Sequence, residues 1–273
     1  MEHQDRMAAL FDSVSDTYDA VGVDLFQPVA AGLVDALDPQ PGERALDVGC
    51  GRGAVLSRLA DAVTERGTVT GIDVSPRMVE STAADVAGAG LTWVEVVVGD
   101  AMAPAVAPSS FDVVASSLVL FFLPDPLEAL RAWRELLVEG GRVGVSTFGP
   151  YDQAWREHVD ATLASFRPPE TKDARTTGAQ GPFASDEGME LLLSDAGFRT
   201  VRTVTTTVSP RFDDAAHWKR WSMSVGQRQF WESVPEGRRD EVERACFAAV
   251  ERCRTPDGRL GFDQEIRYTL GRR

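Results

Sequence analysis

Between residues 44 and 147 the chain alternates short β-branched runs with helix-patterned stretches, and no other feature constrains its fold as strongly. Parallel strands cannot be joined by a tight hairpin. Each needs a crossover that runs back along the sheet, which a helix supplies. Strands are predicted at 45–48, 68–73, 93–98, 111–116 and 142–147, with helices starting near Ala54, Pro76 and Pro126. Ser75-Pro76 and Asp125-Pro126 put a capping side chain directly before a proline at the first helical position, where the missing N–H costs nothing. Two more strand-like segments, 200–208 and 262–270, bring the expected sheet to seven strands, mostly parallel, with helices on both faces.

The remaining segments add to this α/β core. Helices are expected around 6–18 and from Gln27-Pro28 onward, where Val29, Leu33, Val34 and Leu37 share a face. The chain thus divides into N-terminal helices over 1–40, a ligand-binding core over 41–150 and a C-terminal part over 151–273. This last part completes the sheet at about 185–208 and 262–270 and adds cap segments at about 151–184 and 209–261. The first cap segment holds an aromatic-bearing helix, 151–166, and a polar loop, 167–181, suited to a mobile lid. A helix from Ser185 to Ala196 follows and ends at Gly197. Residues 209–261, rich in Trp and Phe, are too many for a hairpin and read as a helical insertion.

Charge follows the same division. The formal net charge is −14, from 28 basic and 42 acidic side chains, and the first 150 residues hold 9 and 22 of them. Such a chain repels a phosphate backbone, so nucleic acid is not an expected partner. Cys50, Cys246 and Cys253 lack disulfide or metal-ligand spacing, which points to no metal site and a reducing, cytoplasmic setting. Met1-Glu2-His3-Gln4-Asp5 is no basic leader to an apolar run, and no 18 apolar residues are consecutive, so neither export nor a membrane span is expected.

The chemistry concentrates in Leu46-Asp47-Val48-Gly49-Cys50-Gly51-Arg52-Gly53, a strand that runs through glycines into a helix. Such a turn lets a ligand approach the backbone and meet the helix N-terminus. Gly49-x-Gly51-x-x-Ala54, with Asp73 twenty residues past Gly53, also satisfies a dinucleotide fingerprint by spacing. Asp47 separates the two readings, because a carboxylate beside the loop would repel a pyrophosphate but suits a ligand bearing an ammonium and a sulfonium.

With these residues the sequence resembles the class I S-adenosylmethionine-dependent methyltransferases, in particular the branch that acts on ubiquinone, menaquinone and natural products. The resemblance spans residues 11–147 through an ordered set of motifs. It implies a Rossmann-like fold with S-adenosyl-L-methionine as cofactor and S-adenosyl-L-homocysteine as product. By resemblance, Asp47, Gly49, Cys50, Gly51 and Gly53 surround the methionine part of the cofactor. Asp73, with Val74 and Met78 after it in Gly71-Ile72-Asp73-Val74-Ser75, takes the ribose. Gly99, Asp100 and Ala101 take the adenine. Ser116 and Ser117 face the sulfonium, and Leu137 to Val145 with Gly140-Gly141 forms the last core motif. Phe11-Asp12-Ser13-Val14-Ser15-Asp16-Thr17-Tyr18-Asp19 resembles the segment that lies over the cofactor, with Tyr18 near the methyl. Many relatives carry histidine before the Pro-Asp pair after strand four. Here Phe121-Phe122-Leu123-Pro124-Asp125 has phenylalanines, so a base at that position is missing.

Each assignment has a plainer counterpart. Asp47, Asp73 and Asp100 could simply cap helices, and Cys50 reads as a small apolar filler, since methyl transfer from a sulfonium needs no covalent enzyme intermediate. Tyr18, expected on a short acidic helix, is a catalytic candidate or a packing residue. His158 and His217 are general-base candidates or structural histidines. Phe121, Phe122, Phe148, Tyr151, Trp155, Trp218 and Trp221 fall in segments that wall substrate pockets in such folds, although individually such residues are more often core.

The expected activity is therefore methyl transfer to a small, largely apolar or aromatic metabolite, with a homodimer allowed but not required. Three alternatives are open: cofactor-dependent cyclisation without methyl transfer, an NAD-dependent oxidoreductase, and a non-catalytic binding module.

Overall fold

The computed structural model describes residues 2–167 and 180–273. The lid expected over 167–181 lies almost wholly outside the described residues.

Seven strands form one sheet in the order β3-β2-β1-β4-β5-β9-β6. These are β1 (Arg44–Val48), β2 (Thr68–Asp73), β3 (Val94–Val98), β4 (Phe111–Ser117), β5 (Leu137–Tyr151), β6 (Arg199–Val208) and β9 (Gln264–Arg272). The first five are parallel, and β9 runs antiparallel between β5 and β6. The central strands read as unbroken apolar runs because helices cover both faces, and Ala45, Leu46, Val113 and Val114 are fully buried.

The helices α1 (Glu2–Val14), α2 (Phe26–Leu37), α3 (Ala54–Val63), α4 (Pro76–Gly88) and α5 (Pro126–Leu136) precede β5 or lead into it. Ser75 accepts a hydrogen bond from the Met78 N–H and Asp125 from that of Glu128, each just before a proline, as the sequence suggested. On one face a side chain at Gly144 of β5 would meet Leu37 of α2. On the other, one at Gly271 of β9 would meet Leu193 of α8 (Asp186–Asp195). β3 and β4 are joined by a loop without a helix, and the Trp133 indole donates to the Ala101 carbonyl to cover it.

Three expectations need correction. α1 ends at Val14, so Tyr18 lies in the turn after it, not on a helix. Tyr151 is the last residue of β5, and the helix expected over 151–166 is divided into α6 (Gln153–Trp155), a π turn (Arg156–Asp160) and α7 (Ala161–Phe166). The final strand starts two residues later than expected, at Gln264.

The cap insertion holds α9 (Ala215–Met223), α10 (Arg228–Ser233) and α11 (Arg239–Glu251). It also contains a small antiparallel pair, β7 (Arg211–Phe212) with β8 (Leu260–Gly261), which the sequence reading did not foresee.

Strand order reverses between β1 and β4, whose chain continuations diverge and leave a crevice beyond their C-terminal ends.

Candidate functional site

The crevice is floored by the loop after β1. Gly49, Gly51 and Gly53 have φ of +74°, +49° and +80°, left-handed values that side chains resist. A Cβ at Gly49 would come within 2.4 Å of Val119, whereas one at Gly51 would meet open space. The Gly49 and Cys50 N–H groups both donate to the Ile72 carbonyl, which binds the loop to the end of β2. Gly53 occupies the N-cap of α3 without a side-chain cap, so the helix N-terminus faces the crevice through backbone N–H groups alone.

Two carboxylates lie under this loop. Asp47 is 1% exposed, and neither of its oxygens accepts a well-formed hydrogen bond. Burial, followed by the nearby Asp73 charge, pushes its carboxyl up to about 8, and the Leu56 N–H opposes this weakly. Asp73 is better served. Its Oδ2 accepts from the Gly51 N–H at 2.8 Å and its Oδ1 from the Ser75 N–H at 2.9 Å, although burial still raises its carboxyl. Burial also raises the Cys50 thiol well above its ordinary value, as suits a packed filler. Beyond β2, Val74 is half-buried and Met78 is buried in the first turn of α4. At the end of the neighbouring β3, half-buried Asp100 accepts the Met102 N–H and follows Gly99, whose own N–H bonds the Asp73 carbonyl.

The two serines that end β4 part ways. Ser116 is buried and donates to the Val48 carbonyl, tying β4 to β1, whereas half-buried Ser117 pairs with Ser146 of β5 at 2.8 Å.

The N-terminal segment lies over the crevice. Asp12 accepts from the Ser75 hydroxyl and the Arg77 N–H, and Arg52 in the glycine loop donates to the Ser15 carbonyl and to Asp85 of α4. Tyr18 stacks on Phe26 at 4.6 Å; burial raises its phenol, with Asp19 and Asp73 adding to the effect.

Rings gather beside it, around Phe121 and Phe122 after β4 and Phe148 near the end of β5. Phe121 lies 4.8 Å from Phe122, 5.5 Å from Phe148 and 6.2 Å from Phe183, and Phe11 meets Phe122 at 5.7 Å.

The other aromatic candidates fall elsewhere. Trp155 and Trp218 are fully buried against each other and against Phe262 and Trp231, and Trp221 packs on Phe212, so these three tryptophans build the cap's own core. Tyr151 bonds Asp160 within the cap. His217 is also occupied: its Nδ1 accepts the Asp213 N–H, and its Nε2 meets the Val21 carbonyl at 2.8 Å. His158 is half-buried on the π turn.

Residues 46–145 match the methyltransferase domain family. Nocamycin O-methyltransferase of Saccharothrix syringae is 38% identical over 245 residues, covering 85% of this chain and 86% of that protein. The chain belongs to the S-adenosylmethionine-dependent methyltransferases. Aklanonic acid methyltransferase of a Streptomyces species is 39% identical over 53% of this chain and 66% of its own length. The solved YcgJ protein of Bacillus subtilis shares the fold at a TM-score of 0.61 and 17% identity, over 90% of this chain and 98% of that one.

With the family shown, the dinucleotide reading of the glycine loop falls away, and the residues around it fit the methyltransferase cofactor. Asp47 is a buried carboxyl whose oxygens accept no well-formed hydrogen bond, and Gly51 leaves space where any side chain would intrude. Among the described residues no cluster of His, Cys, Asp or Glu could hold a metal, and no helix is long and apolar enough to cross a membrane.

Sequence reasoning missed Phe11 and Phe183 as members of the ring cluster, Phe26 as the ring that Tyr18 stacks on, and Arg52 as a link to the N-terminal segment. Nothing in the order of residues marks such contacts, since Phe121 and Phe183 meet only through the fold.

Proposed function

We propose that this methyltransferase acts on an oxygen of a small, largely aromatic metabolite of natural-product type. The observation that carries the reading is the ring cluster of Phe11, Phe121, Phe122, Phe148 and Phe183 beside the crevice. An apolar wall of this kind favours molecules with a flat, apolar ring body. The names of the two relatives, an O-methyltransferase for nocamycin and a methyltransferase for aklanonic acid, support it. Over 85% of the chain the likeness is to a methyl-transferring enzyme, so nothing specific favours cyclisation or a bare binding module.

The cofactor, when bound, supplies a methyl group already activated on a sulfonium. In this reading Gly49, Gly51 and Gly53 admit its methionine part, Asp47 faces its ammonium, Asp73 holds the ribose and Asp100 the adenine. Tyr18 and the rings exclude water and align the acceptor. Alignment of that kind is worth roughly 7–11 kcal/mol in favourable cases. Both ring nitrogens of His217 are engaged, and phenylalanines stand where relatives carry histidine. An acceptor that loses its own proton near neutral pH, a carboxylic acid or an acidic phenol or enol, therefore suits this site best.

The test is incubation of the full chain with cofactor labelled in its methyl group and a panel of 2-naphthol, 2-naphthoic acid and aklanonic acid. Labelled ether or ester is expected from at least one. Label on carbon, or no labelled product while S-adenosylhomocysteine binds, overturns the reading.

A further inference from the structure

The ring cluster has a buried support that belongs to none of the family motifs. Arg267 of β9 is only 4% exposed and points to the face that α8 covers. Its Nε donates to Asp186 at the start of α8, one terminal nitrogen donates to the carbonyls of Phe148 (2.9 Å) and Phe183 (3.0 Å), and the other reaches that of Ala184 (3.4 Å). One guanidinium thus holds the backbone of two rings that flank Phe121 from different parts of the chain.

The local backbone explains why a side chain is needed there. The β5–β9 ladder pairs Phe148 with Ile266 and then loses register before Tyr151, so Gly149 and Pro150 fall outside the regular pairing. Side chains of β9 bond carbonyls at this break, Arg267 that of Phe148 and Gln264 that of Gly149, each at 2.9 Å. Burying a guanidinium is costly, and an apolar residue of similar size is often no worse for stability. What an apolar residue cannot do is bind three carbonyls in one plane, which the forked donor geometry of arginine allows.

We propose that Arg267 is a positioning residue for the acceptor: it fixes Phe148 and Phe183 against Phe121 and so sets the shape of the pocket wall, without touching the cofactor site. This rests on the aromatic-acceptor reading above. It makes Arg267 a determinant of acceptor affinity that leaves cofactor affinity unaffected.

The experiment compares the wild-type chain with Arg267→Met, Arg267→Lys and Asp186→Asn. Equilibrium binding of 2-naphthol is measured in saturating S-adenosylhomocysteine, binding of S-adenosylhomocysteine alone is measured by calorimetry, and amide exchange is followed at 147–149 and 181–186. In Arg267→Met, 2-naphthol affinity is expected to fall roughly tenfold to a hundredfold, equivalent to about 1.4–2.8 kcal/mol of binding free energy. S-adenosylhomocysteine affinity stays within about twofold of wild type, a change too small to count as a lost contact. Exchange speeds up in both segments. Arg267→Lys recovers part of the loss, and Asp186→Asn shows a smaller loss in the same direction, which keeps the test open if Arg267→Met does not fold. Unchanged 2-naphthol affinity in the folded variants overturns the proposal alone, as does an equal fall for both ligands. If 2-naphthol does not bind the wild-type chain, the same comparison is made with 2-naphthoic acid or aklanonic acid, and a wild-type chain that binds none of the three overturns the aromatic-acceptor reading and this proposal with it.

Discussion

Asp47 shows how a single buried group couples stability to binding. Its carboxyl, pushed from 3.8 to about 8, holds a proton in the folded chain that the unfolded chain releases above about pH 4. The stability contributed by that proton is fully present below about pH 4 and is lost as pH rises to about 8. Asp47→Asn is therefore expected to raise the melting temperature at pH 8 and to leave it nearly unchanged at pH 4, as differential scanning calorimetry would show. The same substitution is expected to weaken S-adenosylhomocysteine binding at pH 8, because an amide cannot neutralise an ammonium. For the wild type, binding should tighten between pH 6 and pH 8 and release a proton, read as a buffer-dependent heat in titration calorimetry. Asp73→Ala serves as the companion test of the ribose assignment, and S-adenosylhomocysteine affinity that does not change would remove that assignment.

At the level of elements, the N-terminal helix is secured to the glycine loop by a few polar contacts. Arg52 stands between glycines with positive φ, so its backbone is set by the loop while its side chain reaches Ser15 beyond the end of α1 and Asp85 on α4. Asp85 is largely exposed, which makes the ion pair weak, and the bond to the Ser15 carbonyl is the part that holds α1. Arg52→Ala is expected to cost about 1 kcal/mol of global stability. It should also speed amide exchange over residues 2–19 and quicken S-adenosylhomocysteine release, as stopped-flow fluorescence would follow. Equal exchange in variant and wild type would show that α1 is held without Arg52, by its apolar face and the bonds of Asp12 to Ser75 and Arg77. The crossover helices were legible in the sequence because Ser75-Pro76 and Asp125-Pro126 act locally. The break of 151–166 into strand end, π turn and short helix was not, since Tyr151 is drawn into β5 by its pairing with Gln264, far away in the chain.

Across the whole molecule, the buried residues of the cofactor core and of the aromatic cap join in one apolar cluster, to which the cap adds a group of rings of its own. Trp155, Trp218 and Phe262 form the heart of the cap, with Trp218 fully buried. Trp218→Ala is expected to destabilise the protein by about 3–5 kcal/mol, the usual range for removing a buried aromatic ring. In conditions where it remains folded, S-adenosylhomocysteine affinity should be unchanged. That ligand at about 100 times its Kd should add about 2.7 kcal/mol to the wild type. A fall in both stability and cofactor affinity would show that the cap and the core behave as one unit.

What the sequence determined by itself is what is local or periodic. The alternation of strand and helix, the two capped prolines and the glycine run each carry their cause within a few residues, and so the parallel core could be read directly, while the cofactor class came from the family that the ordered motifs resemble. Tertiary structure alone decided which rings meet. Phe121 and Phe148 were grouped with Trp155 and Trp218 as pocket candidates, yet the first pair converges beside the crevice and the second fills the cap. It also decided that Arg267, in a strand of otherwise ordinary pattern, supports that wall, and that His217 is committed to Asp213 and Val21. The physical reason is the same in each case. A side chain's role depends on which distant backbone groups lack partners in the folded chain, and that follows from strand register and bulges, which no short window of sequence encodes.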